Sequence, residues 1–170
     1  MKYLIASDIH GSQTSLQRLL SYFERSGADM LCLLGDLLNF GPRNAIPPGH
    51  NPAEVACLLN AHAQRIIAVR GNCDSEVDQM LLNFPIMADY ALLVDEDKRL
   101  LLTHGHLYNP QSTAHLDYDA LFYGHTHIPE LYKTNQGRII CNTGSITFPK
   151  ADNPPTFAIY EGGKVKIVKL

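Results

Sequence analysis

Short apolar runs recur along the chain at residues 3–6, 30–34, 66–69, 100–102, 121–123 and 139–141. Continuous apolar runs of this length are typical of strands that are covered on both faces. Each of the first five runs is followed within a few residues by a polar side chain that can bind a metal ion. The pattern therefore predicts buried strands that end in polar loops.

Three segments repeat apolar residues at the i, i+3, i+4, i+7 spacing of a helix with one buried face. Their apolar positions are Leu16, Leu19, Leu20 and Phe23, then Val55, Leu58, Leu59 and His62, and finally Val77, Met80, Leu81 and Phe84. Candidate N-caps precede them at Ser12, Asn51 and Ser75, and Gly27 stands where the first helix should end. We interpret all three stripes as facing the core.

Strands alternate with helices in the first half of the chain, which indicates βαβ units, whereas the second half is rich in strands. Residues 135–137 and 161–163 have the composition of hairpin turns. These elements predict a layered α/β sandwich with polar residues at the carboxyl ends of its strands, where ligands bind in open α/β sheets. Residues 39–51 are rich in Pro and Gly and are predicted to form an irregular loop beside that edge.

Composition and charge restrict the classes of protein to which this chain can belong. The chain has 170 residues, a net charge of -3 and a sequence pI of about 6.2. These values favour one folded domain without an extended nucleic-acid surface, and no apolar stretch reaches the length of a membrane span. Asp8 and His10 interrupt the apolar start before a secretion signal could form. The four cysteines are scattered without a C-x-x-C pair, so we expect free thiols in a reducing cytoplasm.

Five short motifs carry side chains that can bind metal ions. They are Asp8-Ile9-His10, Gly35-Asp36, Gly71-Asn72-Cys73-Asp74, His104-Gly105-His106 and His125-Thr126-His127. Residues i and i+2 of an extended chain point to the same side, so both members of each D-x-H or H-x-H motif can reach one ion. Oxygen and nitrogen donors without a thiolate favour Mn²⁺, Fe²⁺, Co²⁺, Ni²⁺ or Zn²⁺ over Ca²⁺ and Mg²⁺.

Two of these side chains have distinct uses at a site with more than one ion. The Asp36 carboxylate has two oxygens and can bridge two ions. The Asn72 amide oxygen can act as a neutral ligand or orient a phosphate oxygen or a water. Any one motif alone would fit an ordinary turn, and only the ordered series, each member after an apolar run, is specific.

The ordered series resembles the calcineurin-like metallophosphoesterases over nearly the whole chain, and within them the compact bacterial and archaeal YfcE-type phosphodiesterases. The resemblance implies an α/β/β/α sandwich of mixed β-sheets flanked by helices, folded as a single domain over residues 1–170. It also implies two divalent metal ions, with Mn²⁺ favoured over Zn²⁺, Ni²⁺, Fe²⁺ or Co²⁺. One ion would lie among Asp8, His10, Asp36 and His127, and the other among Asp36, Asn72, His104 and His125, with Asp36 bridging.

The implied activity is hydrolysis of a small phosphodiester by a dinuclear site that aims a bridging water or hydroxide in line at phosphorus. The expected catalytic residues are Asp8, His10, Asp36, Asn72, His104 and His106. His106 is included because an H-x-H pair shares one face, and it could be a ligand, a phosphate contact or only a neighbour.

One position departs from the family pattern. Many members carry a His where this chain has Cys73, and that His is thought to protonate the leaving group. A thiol is a poor substitute near neutral pH, which favours diesters with good leaving groups.

Three alternative functions stay open. They are a phosphomonoesterase, a nucleotide pyrophosphatase and a non-catalytic protein-binding scaffold of this fold, such as the retromer subunit. The completeness of the implied ligand set favours catalysis.

Three further residues have a predicted place beside the site. Arg43, within the 39–51 loop, either contacts a substrate phosphate or is a surface arginine. Arg70 is expected to brace its loop through a salt bridge, and Asp74 to orient a ligand. No motif specifies the oligomeric state, although a twofold homodimer is compatible with the sequence.

Overall fold

The computed structural model describes residues 1–170 and contains two five-stranded sheets with three α-helices. The strands are β1 (Lys2–Ala6), β2 (Met30–Leu33), β3 (Ile66–Ala68), β4 (Tyr90–Asp95), β5 (Lys98–Thr103), β6 (Ala120–Tyr123), β7 (Glu130–Lys133), β8 (Ile139–Asn142), β9 (Thr156–Glu161) and β10 (Lys164–Lys169). The helices are α1 (Gln13–Ser26), α2 (Pro52–Asn60) and α3 (Glu76–Leu81). All six apolar runs lie within or directly beside strands, as predicted.

Both sheets are mixed. The first has the order β10-β9-β1-β2-β3, in which β1, β2 and β3 run parallel, β9 is antiparallel to β1, and β10 is antiparallel to β9. The second has the order β4-β5-β6-β8-β7, with β5, β6 and β8 parallel between two antiparallel edge strands. The hairpin turns predicted at residues 135–137 and 161–163 join β7 to β8 and β9 to β10.

The two sheets pack face to face around a buried apolar layer. Alternation along β1 illustrates how it is built, because Tyr3 and Ile5 face the second sheet while Leu4 and Ala6 face the helices. From the second sheet, Phe122 on β6 is fully buried in the same layer. Two strand faces that are both covered explain why the runs are continuously apolar rather than alternating.

Helices α1 and α2 cover the outer face of the first sheet and begin and end where the sequence predicts. Ser12 caps α1 by accepting a hydrogen bond from Ser15 N at 3.3 Å, and Gly27 ends the helix in the left-handed conformation at φ 68°. Asn51 caps α2, with Pro52 in its first turn. The predicted fold, two mixed β-sheets flanked by a few helices, is confirmed.

The prediction for the third apolar stripe was wrong in part. Helix α3 exists and has a capping box between Ser75 and Asp78, but Val77 and Met80 are 67% and 84% exposed. The helix has only six residues, and Asp78 is the one it buries. Phe84 is buried beyond the helix end, so the chain after α3, rather than its apolar face, anchors this segment in the core.

The parallel strands of both sheets direct their carboxyl ends to a common region. The loops after β1, β2 and β3 carry Asp8, Asp36 and Asn72, while those after β5 and β6 carry His104 and His125. None of the helices combines the length and the apolar character that crossing a bilayer requires.

Candidate metal centre

The backbone at the predicted site is locally strained. Five of its residues adopt positive φ, namely Asp8 (60°), His10 (51°), Asp36 (54°), His125 (65°) and His127 (63°). Each non-glycine residue in this region costs about 1–3 kcal/mol and persists only where the surrounding structure imposes it. Here neighbouring loops impose it, since His10 N donates to Asp36 O at 2.8 Å and Asp8 N donates to Gly35 O at 3.1 Å.

Two glycines in the motifs allow the loops to approach closely. A Cβ at Gly71 would clash with Asp36 Oδ1, and one at Gly124 would clash with the Ser7 side chain and lie 2.6 Å from Asp8 Oδ2. Either contact is shorter than real carbon atoms allow, so a side chain would displace the carboxylate. Glycine is therefore required before Asn72 and before His125 for the site to form.

Three side chains converge on one point at the end of β1. His127 Nε2 lies 3.1 Å from Asp8 Oδ1, and His10 Nε2 lies 3.4 Å from the same oxygen. The two Nε2 atoms are 3.4 Å apart, and His10 Nε2 is 3.8 Å from Asp36 Oδ2. All four residues are buried. These are the side chains that the sequence predicts around the first ion.

A second group shares the Asp36 carboxylate. His104 Nε2 lies 3.6 Å from Asp36 Oδ2 and 3.1 Å from Asn72 Oδ1. The His125 ring is centred 5.1 Å from the His104 ring, and the His125 backbone N donates to Asp8 Oδ2 at 3.0 Å. Donor atoms of six predicted ligand residues thus lie close together, with Asp36 between the two groups, while the seventh, His125, lies with its ring beside that of His104.

Backbone carbonyls fix the tautomers of three histidines. The Nδ1–H groups of His10, His104 and His127 donate to Asn39 O, Leu34 O and Phe148 O at 2.8, 2.7 and 2.7 Å. A carbonyl can only accept a hydrogen bond, so Nδ1 carries the proton, and in the neutral imidazole each Nε2 presents a lone pair. Three lone pairs therefore point at the carboxylates, as in sites where a carbonyl orients a metal-binding imidazole.

The residues present fit divalent metal ions. Donor atoms that share one ion at about 2.1 Å stand roughly 3–4 Å apart, and the separations within both groups fall in that range. Asp8 Oδ1 is fully buried yet has no hydrogen-bond donor, although two imidazole nitrogens face it. A cation placed among these lone pairs would satisfy the oxygen and both nitrogens together.

Neighbouring histidines stabilise the negative charge of the Asp8 carboxylate, although it is buried. Burial alone would raise the pKa of Asp8, but His10 and His127 hold it well below its usual range. Burial opposes the charge on His10 as well, yet the adjacent Asp8 carboxylate raises the pKa of His10 overall. Burial and the neighbouring imidazole of His104 lower the pKa values of His106 and His125.

Asp74 joins the loops that follow β2 and β3. Its Oδ2 accepts hydrogen bonds from Asp36 N at 2.8 Å and from Gly71 N at 2.7 Å, and its Oδ1 accepts one from Leu37 N at 2.8 Å. Burial raises the pKa of Asp74 to about 6 despite these three donors. Asp74 therefore sets the position of the Asp36 backbone and is not itself one of the converging ligands.

His106 lies beside the ligand groups but not among their converging atoms. Its half-buried ring is centred 5.2 Å from the His104 ring and 6.1 Å from the His125 ring. Its Nδ1 is buried without a hydrogen-bond partner. The ring is therefore held next to the second group with an unused nitrogen.

An open cleft of about 710 Å³ lies over the ligand groups. Residues of the 39–51 loop form part of its lining, including Asn39, Arg43 and Asn44, which confirms that this loop lies beside the site. Lys150 also lines the cleft, and Phe148 packs against the His10 ring with centroids 5.5 Å apart. Sequence reasoning missed Lys150 and Phe148, because their loop follows β8 and contains none of the metal-binding motifs.

Two expectations outside the ligand set do not hold. Arg70 makes no ion pair, and its Nε is buried without a partner, while its backbone N donates to Ala88 O at 2.8 Å. It therefore braces its loop through the main chain. His62 was placed on the apolar face of α2, but that helix ends at Asn60, and His62 packs instead edge-on against the Phe23 ring at 6.1 Å.

Residues 1–164 match the model of the calcineurin-like phosphoesterase superfamily domain. The chain is 49% identical over 172 aligned positions to phosphodiesterase YfcE of Escherichia coli strain K12, covering 100% of this chain and 92% of that protein. The solved structure of the E. coli YfcE phosphoesterase superposes with a TM-score of 0.94 at 46% identity, covering 99% of this chain and 93% of that one.

The fold also occurs in Vps29. The Zn²⁺ complex of Vps29 from Entamoeba histolytica superposes with a TM-score of 0.67 at 22% identity, covering 100% of this chain and 98% of that one. At that identity the likeness extends to the fold alone. The match of the family model over nearly the whole chain, together with the full-length identity to YfcE, shows that this protein belongs to the calcineurin-like phosphoesterase superfamily.

Proposed function

We propose that this protein is a metal-dependent phosphodiesterase with a dinuclear metal site. The observation that carries the proposal is the position of Asp36 Oδ2, 3.8 Å from His10 Nε2 and 3.6 Å from His104 Nε2. One oxygen thus belongs to both ligand groups. Asp8, His10, Asp36 and His127 would hold one ion, and Asp36, Asn72, His104 and His125 the other. The naming of the relative YfcE as a phosphodiesterase supports the reaction class.

Two divalent ions, when bound, supply an activated water and neutralise charge that develops on the phosphoryl oxygens. The chain's own residues position what the ions act on. Asn72 presents an amide oxygen at the cleft wall, 3.1 Å from His104 Nε2, and its Nδ2 donates a hydrogen bond to Cys73 Sγ at 3.2 Å. His106 is neutral near pH 7 because its pKa is lowered, so one ring nitrogen can donate a hydrogen bond to a phosphate oxygen.

The nature of residue 73 supports a diester with a good leaving group. Burial, followed by the nearby Asp36 carboxylate, raises the pKa of Cys73 to about 12. Such a thiol holds its proton too tightly to transfer it efficiently to a departing oxygen near pH 7. A leaving group that departs as a stable anion does not need that proton. The phosphomonoesterase alternative is less well supported for the same reason, whereas a nucleotide pyrophosphatase, whose leaving group is a phosphate, stays open.

The donor set accepts several metals, and we propose Mn²⁺ as the physiological ion, with Zn²⁺, Ni²⁺, Fe²⁺ and Co²⁺ as competitors. The Zn²⁺ complex of a distant relative with this fold is consistent with such promiscuity. A protein-binding scaffold of the same fold is the competing function from another class. The convergence of five buried side chains that can bind metal ions argues against it; they are Asp8, His10, Asp36, His104 and His127.

The cellular compartment, the domain organisation and the oligomeric state of the protein stay predictions. The four cysteines form no disulfide, which supports a reducing compartment such as the cytoplasm. We also propose that residues 1–170 form a single domain acting on a small diester, and that a homodimer is the state to test by light scattering.

The decisive experiment measures hydrolysis of bis(4-nitrophenyl) phosphate and of 4-nitrophenyl phosphate by metal-stripped protein. Mn²⁺, Zn²⁺, Ni²⁺ and Mg²⁺ are then supplied in turn. We expect no turnover without metal, and diester cleavage exceeding monoester cleavage with Mn²⁺. Absence of turnover with every metal, in protein shown to be folded by circular dichroism, would contradict the proposal and favour the scaffold.

A further inference from the structure

The cleft over the ligand groups carries positive charge that the proposed metal chemistry does not use. Arg43 and Lys150 are the only Lys or Arg side chains in its lining, and Asp36 is the only acidic residue there. Neither cation forms an ion pair, and neither side chain donates a hydrogen bond within the protein. Two exposed, unpaired cations thus face the space into which a substrate must enter.

Lys150 is held at the cleft by a turn that carries backbone strain. Ala151 and Asp152 both adopt positive φ, at 55° and 57°, and L-residues pay about 1–2 kcal/mol each for this conformation. Asn153 closes the turn, because its backbone N and its Nδ2 donate to Lys150 O at 3.2 and 2.8 Å. Two successive residues with positive φ are the pattern of a type I′ turn, which is built here from Ala and Asp instead of glycine.

The same turn is attached to a proposed metal ligand. Lys150 N donates to His127 O at 3.1 Å, and Phe148 O accepts from His127 Nδ1 at 2.7 Å. Phe148 also stacks on His127, with ring planes 7° apart and centroids separated by 6.5 Å. The position of Lys150 relative to the ligand groups is therefore fixed, although its side chain is exposed.

Arg43 approaches the cleft from the loop after β2. The Asn44 side chain donates to Phe40 O at 2.7 Å, which holds the segment that carries Arg43. A guanidinium presents several donors in a plane that matches carboxylate and phosphate oxygens. Lys150 offers a compact charge from a second loop, so the two residues provide complementary contacts for an anion.

We propose that Arg43 and Lys150 select phosphodiesters whose substituent carries a second anionic group, a carboxylate or a further phosphate. The inference rests on the phosphodiesterase function proposed above and names the substrate class of that site. The scissile phosphate would be neutralised by the ions among the ligand groups, whereas these cations lie outside those groups. A cleft of about 710 Å³ has room for such a substituent, and only two of its 14 lining residues are hydrophobic.

The test uses three aryl diesters that share 4-nitrophenolate as leaving group. Phenyl 4-nitrophenyl phosphate has no added charge, 4-carboxyphenyl 4-nitrophenyl phosphate adds a carboxylate, and 4-phosphonophenyl 4-nitrophenyl phosphate adds a phosphonate. The Mn²⁺-loaded protein should show higher kcat/KM for the charged pair, mainly through a lower KM. The ratio between the two charged diesters tells whether a carboxylate or a phosphate is preferred.

Charge-removing variants assign the preference to the two residues. In K150M and in R43Q the preference for the charged diesters should fall by about two- to fivefold each, as expected for exposed charge pairs. The double variant should lose the preference for the charged diesters, whereas K150R should retain it. In the wild type, rising salt concentration should weaken the same preference. The matched control is K133M, which removes an equal charge from exposed strand β7 outside the cleft and should change nothing.

The outcomes separate this inference from the proposed function. Turnover of the neutral diester without any preference for the charged ones would overturn the inference and leave the phosphodiesterase intact. Equal losses on all three diesters in K150M and R43Q would also overturn it, since the cations would then act on the shared phosphate. If no diester is cleaved, the proposed function itself fails.

Discussion

Asp74 accepts a 2.8 Å hydrogen bond at Oδ2 from the backbone N of Asp36, so one buried carboxylate positions the residue that supplies another. The same oxygen accepts a bond from Gly71 N at 2.7 Å. Through Asp74, the loop after β2 is joined to the loop after β3, and the two carry the proposed ligands Asp36 and Asn72. The link is a feature of backbone geometry and contributes to stability before any metal binds.

Replacing Asp74 with Asn should therefore destabilise the protein. Asn keeps one acceptor oxygen and turns an amide NH₂ toward backbone N–H groups, which leaves at least one buried donor without a partner. We expect a loss of about 1.5–3 kcal/mol in the free energy of unfolding, measured by urea titration of metal-free protein. The control D117N removes an exposed carboxylate that pairs with Arg99 and should change stability by less than about 0.5 kcal/mol. A D74N variant as stable as D117N would contradict this view of the link.

The titration of Asp74 should also make the free energy of unfolding depend on pH. Its pKa is about 6 in the folded protein and 3.8 as the ordinary value, so between these values the folded state binds a proton that the unfolded state releases. Its contribution to stability therefore increases as pH falls from about 7 to 4, by up to about 3 kcal/mol. Urea titrations of metal-free wild type and D74N across this range test it. Parallel curves for the two proteins would show that Asp74 does not titrate there.

Removing Asp36 should abolish both activity and the binding of two ions. Because Asp36 Oδ2 faces His10 and His104 together, D36A takes a donor from each group. Loss of several kcal/mol of transition-state stabilisation corresponds to a decrease in kcat/KM of at least about a thousandfold. Metal content by mass spectrometry should fall from about two ions per chain to one or fewer. Asp97 is exposed in the β4–β5 turn, so D97A serves as the control. Near-normal turnover in D36A would refute the shared-carboxylate site.

The thiol of Cys73 should be dispensable for cleaving activated diesters. Its pKa of about 12 keeps it protonated and weakly acidic, so C73A should retain diester hydrolysis within about threefold. A loss of several orders of magnitude would instead assign the thiol a direct part in catalysis.

Introducing an acid at the same position should change the substrate range. C73H should raise the ratio of monoesterase to diesterase rates for esters with poor leaving groups, compared with C73A. Cys73 Sγ lies close to Gly41, where an added Cβ would be 2.9 Å from it, so the larger ring has little room on that side. Thermal unfolding of both variants therefore accompanies the rate measurements. An unchanged ratio in a folded C73H protein would remove leaving-group protonation as the reason for diester preference.

Much of the fold follows from local sequence. Apolar runs identify the strands, and Ser12, Gly27 and Asn51 delimit the first two helices because capping depends on a few neighbouring residues. Whether α3 buries its apolar face could not be predicted in the same way. Its apolar spacing is helical, but whether Met80 is buried depends on what lies opposite, and nothing does.

The candidate site was likewise predictable from the sequence only in part. Motif order, through the family resemblance, predicted the seven ligand residues, and all of them follow strands of the two sheets whose carboxyl ends are directed to a common region. Only the tertiary structure decided which carbonyls orient His10, His104 and His127, that Asp74 ties two loops together, and that Lys150 faces the cleft. Those contacts join residues far apart in the chain, and local pattern carries no information about which distant backbone groups a fold brings within hydrogen-bond distance.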